Sequence, residues 1–255
     1  MSRSKPTAKN PATRFFQWGG GEGKISYYDK EAEERIDVPF SKKKPFIFLV
    51  LDELNTITGF SKGDQSSVWS NEVRDMSKES LAVRTGKGLK LRGVYKEIKG
   101  ELAGIGGKYA KSVYIAYKND EGELVIGHIK LAGAALSAWI DFNKKWDVYK
   151  VAIKLEDIKA ETNGATKYFV PVFAGLPVSE STNNEAKELD NELQTYLGTY
   201  FSYKPSEEEE VETVQDDEVE EEAVAAAPVK KQERKTPTKI DDGTEDGIEL
   251  AELPF

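Results

Sequence analysis

Phe46-Ile47-Phe48-Leu49-Val50-Leu51 is an unbroken apolar run set between Pro45 and Asp52. Six residues is strand length, and aromatic and β-branched side chains favour a pleated backbone. A half-buried strand would alternate with polar residues; this one does not, so it reads as a central strand covered on both faces. Leu54 to Phe60 continues as strand or turn, and Ser66-Ser67-Val68-Trp69-Ser70 starts another.

Further along, Leu81 to Gly93 reads as a bent or hairpin strand pair carrying outward cations. Val94 to Ala103 has Tyr95, Ile98 and Leu102 at helical spacing and predicts a short helix ended by Ile105-Gly106-Gly107. Lys111 to Tyr117 and Leu124 to Leu131 form a hairpin about Asn119-Asp120-Glu121-Gly122. Leu131 to Lys145 predicts a helix with Trp139 on its apolar face, Val148 to Ile158 alternates, and Asn163-Gly164 turns the chain into Tyr168 to Phe173. Glu185 to Tyr200 is amphipathic and could pack on its own domain or against a second copy; Pro205 closes the body. Towards the N-terminus, Phe15 to Trp18 and Lys24 to Tyr28 read as strands joined by the loop Gly19 to Gly23, after a flexible basic arm, residues 1–13. The expected architecture is mostly β or α+β: a five-stranded barrel with inserted helices over residues 14–205.

Residues 206–255 differ in kind. They hold five basic and 18 acidic residues, a net charge of −13, whereas residues 1–205 hold 31 basic and 27 acidic, a net charge of +4. So charged and apolar-poor a segment is expected to be disordered. Its end carries apolar groups that a mere solubiliser does not need: Asp246, Ile248, Glu249, Leu250, Glu252, Leu253, Pro254 and Phe255 make a candidate partner-binding hook.

Composition narrows the chemistry. With no Cys there are no disulfides, thiolate metal sites or cysteine nucleophiles, and a single His, His128, removes multi-His zinc sites and His-based triads. His128 sits in an apolar strand and reads as structural. Gly104 to Tyr109 lacks the spacing and the Ser/Thr of a phosphate-binding loop, and Asp242 to Leu253 lacks the final Glu of a calcium loop. No catalytic residue, metal site or cofactor is expected, and neither a membrane span nor a signal peptide is apparent, which suits a soluble cytoplasmic protein.

The positive signal lies between Arg84 and Lys111, where eight cations face only Glu97 and Glu101. Arg84, Lys87, Lys90, Arg92, Lys96, Lys99, Lys108 and Lys111 are interleaved with Tyr95, Tyr109 and the glycines Gly86, Gly88, Gly93, Gly104, Gly106 and Gly107, which would let a phosphate backbone approach. Cations with aromatic platforms are what single-stranded nucleic acid needs. Trp18, beside the glycine loop, and Trp69, between serines, are added as platforms; Trp146 is undecided. Of the pairs Phe15/Phe16 and Tyr27/Tyr28, one member each should face outward.

At this point the residues resemble a known family. The β-rich body, the glycine- and lysine-rich middle and the acidic tail ending in Leu253-Pro254-Phe255 are similar to single-stranded DNA-binding proteins of the bacterial and bacteriophage type. Leu replaces the Ile of the bacterial ending and the acids are more dispersed, so a divergent phage member fits best. The specific match covers only Ile248 to Phe255. The resemblance implies an OB-fold core that coats unwound DNA without sequence preference in replication, recombination and repair. It also implies a tail that recruits the enzymes of those processes and competes with DNA for the groove, inside a bacterial host. Alternatives are RNA as ligand, an accessory subunit of a nucleic-acid enzyme, and an acidic-tailed chaperone or scaffold.

Overall fold

A computed structural model of the chain describes residues 9–202. The acidic tail and its hook (Asp246, Ile248, Glu249, Leu250, Glu252, Leu253, Pro254 and Phe255) lie outside the described residues, as does most of the N-terminal arm.

The central apolar run is the start of one long strand, β4 (Phe46–Ser61). One edge of β4 pairs along its length with β8 (Gly107–Lys118), from Phe48↔Tyr117 to Gly59↔Gly107, with a bulge between Val50 and Asp52. The other edge forks. Its first residues pair with β10 (Ala152–Asn163), its last with β5 (Ser66–Ser70), and between them Asn55 and Val73 exchange backbone hydrogen bonds of 2.8 and 2.9 Å.

Beyond β8 come β9 (Leu124–Ala132), β1 (Arg14–Gly19), β2 (Lys24–Asp29) and β3 (Glu34–Val38); beyond β5 come β6 (Leu81–Thr85) and β7 (Gly88–Gly93). From β10 a hairpin leads to β11 (Thr166–Leu176). Among the described residues the result is one open mixed sheet of 11 strands with free edges at β3, β7 and β11.

The expected five-stranded barrel is therefore not formed. β1 takes the free edge of β9, in parallel, and β4 feeds two branches instead of one. The β10–β11 hairpin does curl back, and two hydrogen bonds tie its tip to the first strands: Phe169 N to Gly20 O (2.7 Å) and Trp18 Nε1 to Phe169 O (3.1 Å).

Alternation along β4 explains why its apolar run is continuous. Phe48 and Val50 enter a core with Phe16, Val113, Ile115 and Leu155, capped by Trp139 of α2 (Gly133–Asn143). Leu49 and Leu51 enter a second core on the opposite face, with Tyr114 and with Leu193 and Leu197 of α3 (Glu180–Ser202). Each fully buried leucine there contributes about 1.5–3 kcal/mol. The long C-terminal helix thus covers its own sheet. A third cluster joins Ile57, Val68, Leu81 and Val83 to Ile98 and Leu102 of α1 (Tyr95–Leu102). No helix among the described residues is long and apolar enough to cross a membrane.

Candidate nucleic-acid interface

Five strands line up one row of side chains. The register runs Lys108↔Thr58 between β8 and β4, Thr58↔Trp69 to β5 and Trp69↔Arg84 to β6, and continues as Arg84↔Leu89 to β7 across a bulge between Val83 and Arg84. Ile57, Val68 and Val83 are the buried neighbours of Thr58, Trp69 and Arg84 and pack under α1, so by alternation the row itself occupies the opposite face. At about 4.8 Å between strands the row is roughly 19 Å long. Lys108 is exposed and Leu89 is 45% exposed; Arg92, opposite Ala82, belongs to the same face and is exposed. Trp69 is half-buried, with its Nε1 enclosed and lacking an acceptor. Arg84 is only 9% exposed and sits beside the indole as a wall rather than a free cation.

The other cations of the stretch do not join the row. Lys87 and Lys90 lie 3.3 and 2.7 Å from Asp64 in the β4–β5 turn, and Lys90, then Thr85, hold that carboxyl down to about 2. Lys111 projects to the other face and pairs with Glu53 at 3.9 Å. Lys96 and Lys99 are exposed on α1, behind the sheet.

Three expected platforms are also turned inward. Tyr95 and Tyr109 pack together, rings 5.9 Å apart, and Tyr109 Oη donates to Asn55 (2.8 Å) while burial pushes its hydroxyl up to about 12. Trp18 packs on the main core beside Phe40. The row thus brings together Trp69, Arg84, Arg92 and Lys108, and leaves Trp18, Tyr95, Tyr109, Lys111, Lys96 and Lys99 apart.

Gly106 has another use than admitting a phosphate. A Cβ on Gly106 would stand 2.0 Å from Phe60 O, and one on Gly59 would stand 2.0 Å from Gly106 O. The turn after α1 (the 3-10 segment Ala103–Ile105) crosses the end of β4 backbone to backbone, which only glycine permits.

The segment from Trp69 to Arg84 is anchored by a buried polar cluster. Glu72 accepts a hydrogen bond from Tyr114 Oη (2.8 Å), its N–H donates to Tyr200 Oη (2.8 Å), and its carboxylate lies 3.5 Å from His128 Nε2. Burial alone would raise the Glu72 carboxyl, but the facing His128, with Ser112 and Tyr114, outweighs it and holds the group below its ordinary range. Glu72→Gln should therefore lower stability near neutral pH by about 2 kcal/mol, the cost of a buried partner left poorly matched. Because the folded pKa is depressed, the wild-type advantage is complete above roughly pH 5 and shrinks as pH falls below the unfolded value of about 4.3. Urea unfolding of both chains across that range checks this; equal stabilities at pH 7 would count against the cluster. His128 is buried at 4% exposure and faces Glu72 across 3.5 Å.

Phe16 and Tyr27 are the buried members of their pairs, at 1% and 7% exposure, which leaves Phe15 and Tyr28 outward. Trp146 is also exposed, 44%, its indole lying on Gly175, where a Cβ would meet three ring atoms within 3.0 Å. Among the described residues no cluster of three or more His, Cys, Asp or Glu is placed to hold a metal ion. Comparison with known protein families, with curated proteins and with solved structures finds no match.

Proposed function

We propose that this chain is a binding protein for single-stranded nucleic acid, DNA in the first instance, and not an enzyme. The observation that carries the reading is the row Lys108–Thr58–Trp69–Arg84–Leu89, which sets a ring and an apolar side chain among cations on one sheet face. Bases stack on rings whatever their identity, at about 1–3 kcal/mol each, so such a row holds a strand without reading its sequence.

The fold supports the same reading in a finer form. The meander β4–β8–β9, then α2, then the hairpin β10–β11 follow the strand order of an OB-fold, opened where β1 lies between β9 and the returning hairpin. On that reading β5–β7 and α1 form the long connection between the first and second strands, a usual place for oligonucleotide contacts. The net −13 of residues 206–255 would compete for the same face from a high effective concentration, and the terminal hook would engage replication and recombination proteins once DNA displaces it.

Titration of the full chain with oligo(dT), followed by tryptophan fluorescence, tests this. Quenching that a duplex of equal charge does not reproduce is expected, with tighter binding at low salt when the chain stops at residue 205. A chain that ignores oligo(dT) in dilute buffer with and without its tail would end the proposal.

A further inference from the structure

The outward aromatics of the first two strands share a sheet face with the row just described. Phe15 stands opposite His128, Gln17 opposite Lys130, Lys130 opposite Ser112, and Ser112 opposite Leu54. Leu54 and Thr58 lie four residues apart on β4 with no bulge between them, so both look to the same side. Tyr28, 39% exposed, pairs with Arg35 of the edge strand β3 and continues that face outward.

Arg35 differs from its charged neighbours. Arg14 is paired with Asp120, Lys24 with Asp37, and Lys87 and Lys90 with Asp64. The exposed Arg35 guanidinium is instead held by two neutral oxygens, Ser26 Oγ to Nη1 and Gln17 Oε1 to Nη2, each at 3.1 Å. Among the described residues it is oriented by neutral groups with no ion pair, which suits a planar fork that must meet a phosphate. Lys130, half-buried, is the cross-strand neighbour of that same Gln17.

We infer that Tyr28, Arg35 and Lys130, flanked by Phe15, form a second contact for single-stranded nucleic acid: Arg35 and Lys130 take a phosphodiester and the Tyr28 ring takes an adjacent unpaired base. This rests on the reading proposed above. The occupant follows from the two cations of the site, Arg35 and Lys130, and from its place on the same side of the sheet as the first row. Five strand spacings, roughly 24 Å, separate Tyr28 on β2 from Trp69 on β5. Between them α3 covers Leu54 and Tyr114, and Glu72 reaches over Tyr114. The two contacts are therefore separate, and their removal should be additive.

Fluorescence anisotropy with labelled oligo(dT) long enough to cross the whole face tests the assignment on the full chain. Tyr28→Ala and Arg35→Gln should each weaken binding about tenfold, and Arg35→Gln should lower the log–log salt slope by roughly 0.7, one phosphate contact. Tyr28→Phe, which keeps the ring, should bind like wild type. Combining Arg35→Gln with Trp69→Ala should multiply the two losses. If Trp69→Ala weakens binding while the Tyr28 and Arg35 variants, folded by circular dichroism, bind like wild type, the second contact is refuted and the first reading stands. If wild type itself fails to bind, both fall.

Discussion

Gly106→Ala should lower the unfolding free energy by about 4 kcal/mol, the upper range for a single substitution. Two terms combine. Gly106 has φ +80°, in the left-handed region where an L-residue costs about 1–2 kcal/mol. The added methyl would also stand 2.0 Å from Phe60 O, an atom of the strand that threads the sheet, with no flexible side chain to give way. Relief requires moving either the end of β4 or the turn that launches β8, and those two strands pair from Phe48↔Tyr117 to Gly59↔Gly107. Gly59→Ala should behave alike, since its Cβ would meet Gly106 O at the same distance. Gly100→Ala is the control: it lies in α1 with nothing within 4 Å of the added carbon, so it should raise stability by about 0.5–1 kcal/mol. Chemical denaturation of the three variants decides the matter. A Gly106→Ala loss below 1 kcal/mol would mean that the crossing is not tight.

That pair of glycines also shows where sequence reading reaches its limit. The apolar run at Phe46 announced a strand buried on both sides, because continuous burial leaves a signature in the residues themselves. The helices at Tyr95–Leu102 and Gly133–Asn143 were legible from spacing for the same reason. Gly106 looked like a phosphate-facing glycine because its use depends on Phe60, a neighbour that only the fold supplies.

The cations between Arg84 and Lys111 were over-counted on similar grounds. Asp64, which takes up Lys87 and Lys90, comes from a turn outside that stretch, and Lys111 points away because alternation from Lys108 puts an odd number of steps between them. Trp69 could be placed beside Arg84 only once β5 and β6 were known to pair. Arg35 carried no signal, since a lone arginine in a charged hairpin is unremarkable until its two neutral partners are seen. The parallel pairing of β1 with β9 joins segments more than a hundred residues apart, and no local pattern encodes it.

Replacing Trp69, Arg92 and Lys108 together with alanine should weaken oligo(dT) binding about 100-fold, close to 2.8 kcal/mol. Loss of one stacking platform accounts for about 1–3 kcal/mol of that. The two cations supply the rest through phosphate contacts, whose removal should flatten the log–log salt dependence by roughly 1.4. The three side chains leave from an outward face, while Ile57, Val68 and Val83 on the reverse stay packed under α1, so the fold should survive. The partition between terms is itself testable. Trp69→Ala alone should weaken binding equally at low and high salt, because stacking releases no counterions. Arg92→Ala with Lys108→Ala should matter most in dilute buffer and fade as salt screens them. Matched salt titrations of the two variants separate a strand held along this row from one held by diffuse positive charge. If the Trp69 variant's loss tracked salt in the same way as that of the two cation variants, the indole would be a spacer in the sheet and no base would rest on it.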